Sequence, residues 1–370
     1  MHPAFAQARN IHMSLSGSLE DIGVPVKYPL DRVDMTIDPD CFSGDLLCPG
    51  HFVLGKRGQN PHQQEQHFLF HSLKLSRKTA DENSVGESYL DERLNALRRS
   101  QNADGGWPYF PGKQSWLEPT AWAALALHGE PASDRAWQLL RSWQLADGSW
   151  RPSADVQIST WGTALCITIA CVRGEYDDSF RKGVAWMLGI SGKESVLWRR
   201  ALASTGLFAT DRDPKFKGWP WKPDTSSWVE PTAHSLVALK KAAPHFESGE
   251  LKNRVQLGHG QLLDVRGSDG GWNYGSRAAL GIDLPSYPET TGLALIGLQD
   301  GPDVAKSIAR AKQMLAETRS PLARAWLRIA LLLHGQDAPL AEGRSPDLMI
   351  TAIEALSCEN YKFLKTGAEA

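Results

Sequence analysis

"QNADGGW" at Gln101–Trp107 returns as "QLADGSW" at Gln144–Trp150 and "GSDGGW" at Gly267–Trp272, and "FKGWPW" at Phe216–Trp221 is a worn copy. A phrase that recurs along a chain marks a repeated supersecondary unit. Asp accepts amide hydrogen bonds within its own turn and Gly takes backbone angles that other residues resist, so each phrase reads as a turn. Ahead of it, residues stand at helical spacing: Leu90, Leu94 and Leu97 before the first, and Ala136, Leu139, Leu140 and Trp143 before the second. Behind it, after a polar gap, comes a stretch apolar on most sides: Thr120–Leu127, Thr160–Val172, Thr232–Leu239 and Thr290–Leu298. A last pair lacks the phrase. Val304, Ile308, Ala311 and Leu315 form one stripe, then Ser320 caps, Pro321 opens and Gly335 closes "LARAWLRIALLLH".

A helix wet on one side belongs to an outer layer, and one apolar all round belongs to an inner layer. About five to six such pairs, wound outer to inner, give a closed ring around a central cavity. No alternating strand pattern competes. The expected fold is all-α, an (α/α) toroid.

The 14 tryptophans all lie between Trp107 and Trp326, which divides the 370 residues into an N-terminal extension, 1–85, and a toroid, 86–370. Within the extension only Pro61–Lys78 reads as a helix. A net charge of -2 gives no electrostatic footprint for nucleic acid. No apolar run reaches the length of a membrane span and Met1–Gly17 lacks the apolar core of a signal peptide, so the expected location is cytoplasmic, with peripheral membrane contact left open. Five scattered cysteines suit reduced thiols. Cys41, Cys48, His51, His62, His67 and His71 match no standard zinc spacing, so no metal is expected.

Gln-x3-Gly-x-Trp, at Gln101–Trp107 and Gln144–Trp150, resembles the repeat signature of squalene–hopene cyclases and related class II terpene cyclases. Their (α/α) toroid also serves the β subunits of protein prenyltransferases and complement-type thioester domains. The resemblance runs from about Asp91 to Gly335. The thioester branch requires a Gly-Cys-Gly-Glu-Gln type sequence, which is absent, and the prenyltransferase branch an Asp, Cys and His zinc set. Late in this chain only Cys358 and, as the last histidine, His334 remain. An Asp-Asp-x-x-Asp magnesium motif is missing too, since "YDDSF" at Tyr176–Phe180 lacks the third carboxylate.

Class II cyclases carry Asp-x-Asp-Asp-Thr-Ala where an inner helix begins, and the first Asp of the adjacent pair protonates an alkene or epoxide. Here "WLEPTAWAALAL" (Trp116–Leu127) and "WVEPTAHSLVAL" (Trp228–Leu239) occupy that place. The resemblance puts Glu118 and Glu230 at the donor position and Pro119 and Pro231 at its carboxylate neighbour. Glu289 in "YPETTGLAL" falls one place later. It implies acid-initiated cyclisation of a hydrophobic, isoprenoid-like small molecule through carbocations, with no metal or organic cofactor.

The residues by themselves leave alternatives. Glu before Pro also suits a helix start, because an acid there meets the positive end of the helix. His234 lies four residues after Glu230, close enough to orient it or else simply to fill core. Trp122, Trp161 and Trp228 lie at or in inner helices, where they line a cavity or pack; Trp116 and Tyr274 are further candidates for substrate contact. Two rival functions share these features: a carboxylate-dependent glycosidase or lyase on an (α/α) barrel, and a non-catalytic toroid that binds a lipid or protein partner.

Overall fold

The computed structural model describes residues 86–195, 212–279, 282–299, 301, 303–340 and 343–367. All fall in one compact unit, Glu65–Ala370. The extension 1–85, its expected helix Pro61–Lys78 and its cysteines and histidines lie outside the described residues, as does 196–211.

The turn phrase works as the repeat predicts. After helix α1 (86–100) comes the first phrase, then α2 (Leu117–Ala126). After α3 (Pro131–Ser142) comes the second, then α4 (Thr163–Arg173). Helix α5 (Asp178–Gly189) precedes the worn copy and α6 (Val229–Ala242); α7 (Gly249–Asp264) precedes the last phrase and α8 (Pro288–Gly297). Then follow α9 (Ala305–Glu317), α10 (Pro321–Leu333) and α11 (Leu348–Cys358). The named strands among the described residues are two residues each, β1 (Ala278–Ala279) and β2 (Ile282–Asp283), paired antiparallel. The fold is all-α.

Each phrase is pinned at both ends by its tryptophan. The indole N–H of Trp107 donates to the Leu97 carbonyl of α1, Trp150 to Leu140 of α3, Trp219 to Met187 of α5 and Trp272 to Leu262 of α7, all at 2.7–2.9 Å. The backbone N–H of the same four residues donates to Thr120, Thr163, Thr232 and Thr291 at 2.8–3.0 Å. One residue therefore ties an outer helix to the inner helix that follows. In two units the paired threonine, Thr163 or Thr291, is not the one that opens the apolar stretch, Thr160 or Thr290. Both of the latter instead donate to the carbonyl of the phrase tryptophan.

The turn glycine is required twice over. Gly105, Gly148 and Gly270 sit at φ +91°, +92° and +93°. A Cβ there would also meet a backbone oxygen of the next outer helix, from Arg135, Lys182 or Lys306, within 3.2 Å. The Gln that opens a phrase ties it onward: Gln101 donates to Ala132 O and Gln144 to Ser179 O. The worn copy has no such Gln. There Arg254 of α7, buried, donates to the carbonyls of Ile190, Lys217 and Gly218.

The inner helices pack in order: α2 on α4, α4 on α6, α6 on α8, α8 on α10, α10 on α11, and α11 on α2, so the series returns to its start. A second series of hydrogen bonds follows the same path. Leu117 N donates to Pro152 O, Trp161 N to Trp221 O and Val229 N to Tyr274 O, each acceptor two residues after a phrase tryptophan. Leu348 N, the first of α11, donates to Tyr109 O, the equivalent acceptor in the first phrase. A buried ion pair, Arg93 of α1 with Glu354 of α11 at 3.3 Å, joins the chain ends of the same series. Sequence reading had stopped at Gly335 and so missed α11. The stripe expected in α9 is also turned: Ser307, Ala311 and Met314 are the buried residues, beside Ile308 and Leu315.

Thr232→Val should lower stability by about 1–3 kcal/mol, because it leaves the buried Trp219 N–H without its acceptor, while Thr232→Ser should be much milder. Denaturant titration of both variants checks this.

Candidate active site

The pins set a register that decides which residues are equivalent. Counting back two places from each paired threonine gives Glu118, Trp161, Glu230 and Glu289. Glu118, Glu230 and Glu289 are each the second residue of their helix, and the preceding N-cap residue is aromatic each time: Trp116, Trp228 and Tyr287. Glu289 was expected one place out of step, because its proline comes before it instead of after. The Trp272–Thr291 bond puts it in step with the other two. Carboxylates at this position face the positive end of the helix, which favours the anion.

Glu118 has the most defined surroundings. The Tyr109 hydroxyl donates to its Oε2 at 2.5 Å. Tyr109 is buried, and burial followed by the charge of Glu118 raises its pKa well above the ordinary tyrosine value, with smaller contributions from Asp347 and Glu230. Those contributions put four acidic or phenolic groups in one neighbourhood: Tyr109, Glu118, Glu230 and the α11 cap Asp347. Glu289 accepts from the Ser320 hydroxyl at 3.2 Å, and Ser320 also caps α10 through Ala323 N.

Sequence reasoning passed over Tyr109 and Asp347. A signal for the first existed, in that the second residue after the phrase tryptophan is aromatic in three units, Tyr109, Trp221 and Tyr274. The carbonyl of this residue is held by a neighbouring inner helix: Leu348 N donates to Tyr109 O, Trp161 N to Trp221 O and Val229 N to Tyr274 O. Ring contacts follow: Tyr109 with Trp116, Trp161 with Trp221, and Trp228 with Tyr274, which in turn meets Tyr287 at 5.0 Å. Trp228 and Tyr274 are 37% and 41% exposed, which sets them at the surface.

One helical turn further in, a different layer appears. Trp122, His234 and Trp326 are the sixth residues of α2, α6 and α10, all buried. These helices are not neighbours in the packing series; α4, α8 and α11 stand between them. Their rings nevertheless touch, with centroids 5.3 Å apart for Trp122–His234, 5.1 Å for Trp122–Trp326 and 5.8 Å for His234–Trp326. Trp161, half-buried, stacks on His234 at 5.3 Å with planes 25° apart. Gly292 of α8 makes the approach of α10 possible, since a Cβ there would lie 2.9 Å from the Trp326 carbonyl carbon.

Of the two readings of His234, a partner for Glu230 or a core residue, the ring contacts favour the second. His234 Nε2 is buried without a hydrogen-bond partner and its ring meets three tryptophans. The i, i+4 spacing allowed a bond, but the wide apolar face of an inner helix turns the imidazole inward, away from the helix start. Trp122 and Trp161 join this cluster. Trp228 does not; it stays with Tyr274. Among the described residues no three His, Cys, Asp or Glu side chains group as metal ligands, and no helix is long and apolar enough to cross a membrane.

No family model matches the chain, and no curated protein does. Solved structures similar to it include a protein from Actinoplanes, 20% identical over 73% of this chain and 79% of that one, with a TM-score of 0.45. Type II terpene cyclase MstE from Scytonema is 18% identical over 73% and 78%, at 0.45. A glycosidase is 11% identical over 75% and 96%, at 0.38. Identities this low say nothing of chemistry.

Burial moves the His234 pKa from its ordinary 6.5 down to about 3. A depressed folded value means the unfolded chain takes the proton first as pH falls. Stability that is present above pH 6.5 should decline toward pH 3. His234→Leu should flatten that acid limb, as followed by urea denaturation across the same range; an unchanged limb would assign it to other groups.

Proposed function

We propose that residues 86–370 form an (α/α) toroid whose mouth carries a class II terpene cyclase-like activity: proton-initiated ring closure of a prenyl-type substrate. The observation that carries this reading is the Tyr109–Glu118 hydrogen bond, placed one turn from a cluster of aromatic rings. The closed order of helix contacts supports the toroid.

In the reaction, a protonated Glu118 gives its proton to the terminal alkene carbon and leaves a tertiary carbocation on the neighbouring carbon. The next alkene supplies its electron pair to that carbon, closing a ring and moving the charge along the chain. The carboxylate left behind keeps the Tyr109 hydroxyl as donor. The Tyr109 hydrogen bond and the positive end of the helix both favour the carboxylate that proton transfer leaves behind. Faces of Trp161, Trp122 and Trp326 attract the moving charge through their quadrupoles. Loss of a proton, or capture of water, ends the sequence. Glu230 and Glu289, at the starts of α6 and α8, keep the mouth polar. The scheme calls for no metal or organic cofactor, and it takes the chain as a cytoplasmic protein.

Glu118→Gln should abolish product formation, and Tyr109→Phe should slow it by about 10–100-fold without abolishing it. Incubation with a set of isoprenoids, read by mass spectrometry, checks both. Sugar release from glycosides, with no cyclised isoprenoid from any substrate, would overturn the proposal.

A further inference from the structure

The geometry points to a strap built into the chain: the stretch after α11, Asn360–Thr366, crosses the far end of the helix ring and closes it, so that a ligand of the proposed site enters and leaves at the helix starts. The ring and its ligand are those of the proposed function. The crossing itself rests on hydrogen bonds and burial and needs no cyclase chemistry.

In a closed series of six inner helices, α6 stands opposite α11 and α8 stands opposite α2. The stretch leaves α11 as a 3₁₀ segment, Asn360–Leu364, and reaches α6, where the ammonium of Lys241 donates to the Lys365 carbonyl at 2.9 Å. Other members of the ring hold it on the way. Asn360 Nδ2 donates to the carbonyl of Ala126, the last residue of α2, at 3.3 Å, and the Phe363 ring meets that of His128 at 4.9 Å. Gln299, just past α8, donates to Leu364 O at 2.8 Å and accepts from Thr366 N at 3.1 Å. Consecutive residues, Phe363 and Leu364, therefore meet the ends of α2 and α8. A path along the rim would follow one side of the ring and miss the other.

The lengths agree. Helices packed 8–10 Å apart put α6 about 16–20 Å from α11 across a ring of six. A 3₁₀ turn as long as this one and two extended residues cover about 17 Å, and the Lys241 side chain reaches over the remainder. Every anchor lies in the last turn of its helix or just beyond. Ala126 is about 12 Å along α2 from Glu118, so the strap lies at the other end from the Tyr109–Glu118 pair. The last carbonyls of a helix lack partners within it, and Asn360 supplies one to α2. Leu364 is 1% exposed and Thr366 5%, burial that a segment lying loosely on the surface would not have.

Cys171, half-buried in the last turn of α4, reports on the seal because its thiol interacts electrostatically with Lys241. Cys166, fully buried in the same helix, is the control. The full chain as wild type, Gln299→Ala and Leu364→Asp is labelled with N-ethylmaleimide and followed by hydrogen exchange, both read by mass spectrometry. Each variant should label Cys171 about tenfold faster than wild type and lose exchange protection at the last turns of α2, α6 and α8 together, with the helix starts unchanged. Unchanged labelling and exchange in folded variants, or a change confined to α11 and one neighbour, would overturn the strap. If Leu364→Asp fails to fold, Gln299→Ala decides alone. The expected changes without cyclisation of any isoprenoid would overturn the proposed chemistry and leave the strap standing.

Discussion

Everything in this molecule is measured from one repeated pair of hydrogen bonds. A phrase tryptophan gives its indole N–H to the outer helix behind it and its backbone N–H to a threonine in the inner helix ahead. Both donors are buried, so leaving either unmade would cost about 1–3 kcal/mol, and the two together fix where the inner helix starts and which way it is turned. Four units repeat the arrangement, including the one whose phrase is worn. Once the helix starts are fixed, the second position of three inner helices is a Glu and the sixth lies one turn further along.

That register gives the two layers their different chemistry. At the helix starts, the peptide N–H groups favour carboxylates, and α2, α6 and α8 have Glu there. One turn further along, the His234 ring meets three tryptophans and its burial favours the neutral imidazole. Tyr109 bridges the two regimes. Its ring is buried while its hydroxyl reaches Glu118 at the start of α2. The Tyr109 backbone carbonyl also accepts from Leu348, so the residue that holds Glu118 is itself held by the contact that joins α11 to the first unit.

Much of this was legible beforehand, and the failures have a common cause. The Gly in Asp-Gly-x-Trp, the amphipathic and apolar helices that flank it, and the paired glutamates all depend on local chemistry, and the all-α class follows from them. The equivalence of Thr163 and Thr291 was not legible because the loops between phrase and helix differ in length, and only the tryptophan bond shows which threonine is equivalent. Glu289 was put out of step for the same reason. The worn unit was legible from Phe216–Trp221 and Thr232–Leu239, but the role of Arg254, which comes from another helix, was not. Helix α11 lacks the phrase entirely and starts on an ordinary Asp347 cap.

The amino-acid order by itself determined the turns, the alternation of outer and inner helices and the position of each Glu at a helix start. These are set by neighbours a few residues apart, through backbone angle, capping and period. Only the tertiary structure decided what the side chains of those helices meet. His234 looked like a partner for Glu230 four residues away, yet its contacts are with Trp122, Trp161 and Trp326 from other parts of the chain. Spacing along one helix says which groups share a face. Which face looks at which, across several helices that pack in a closed series, depends on every interhelix distance at once.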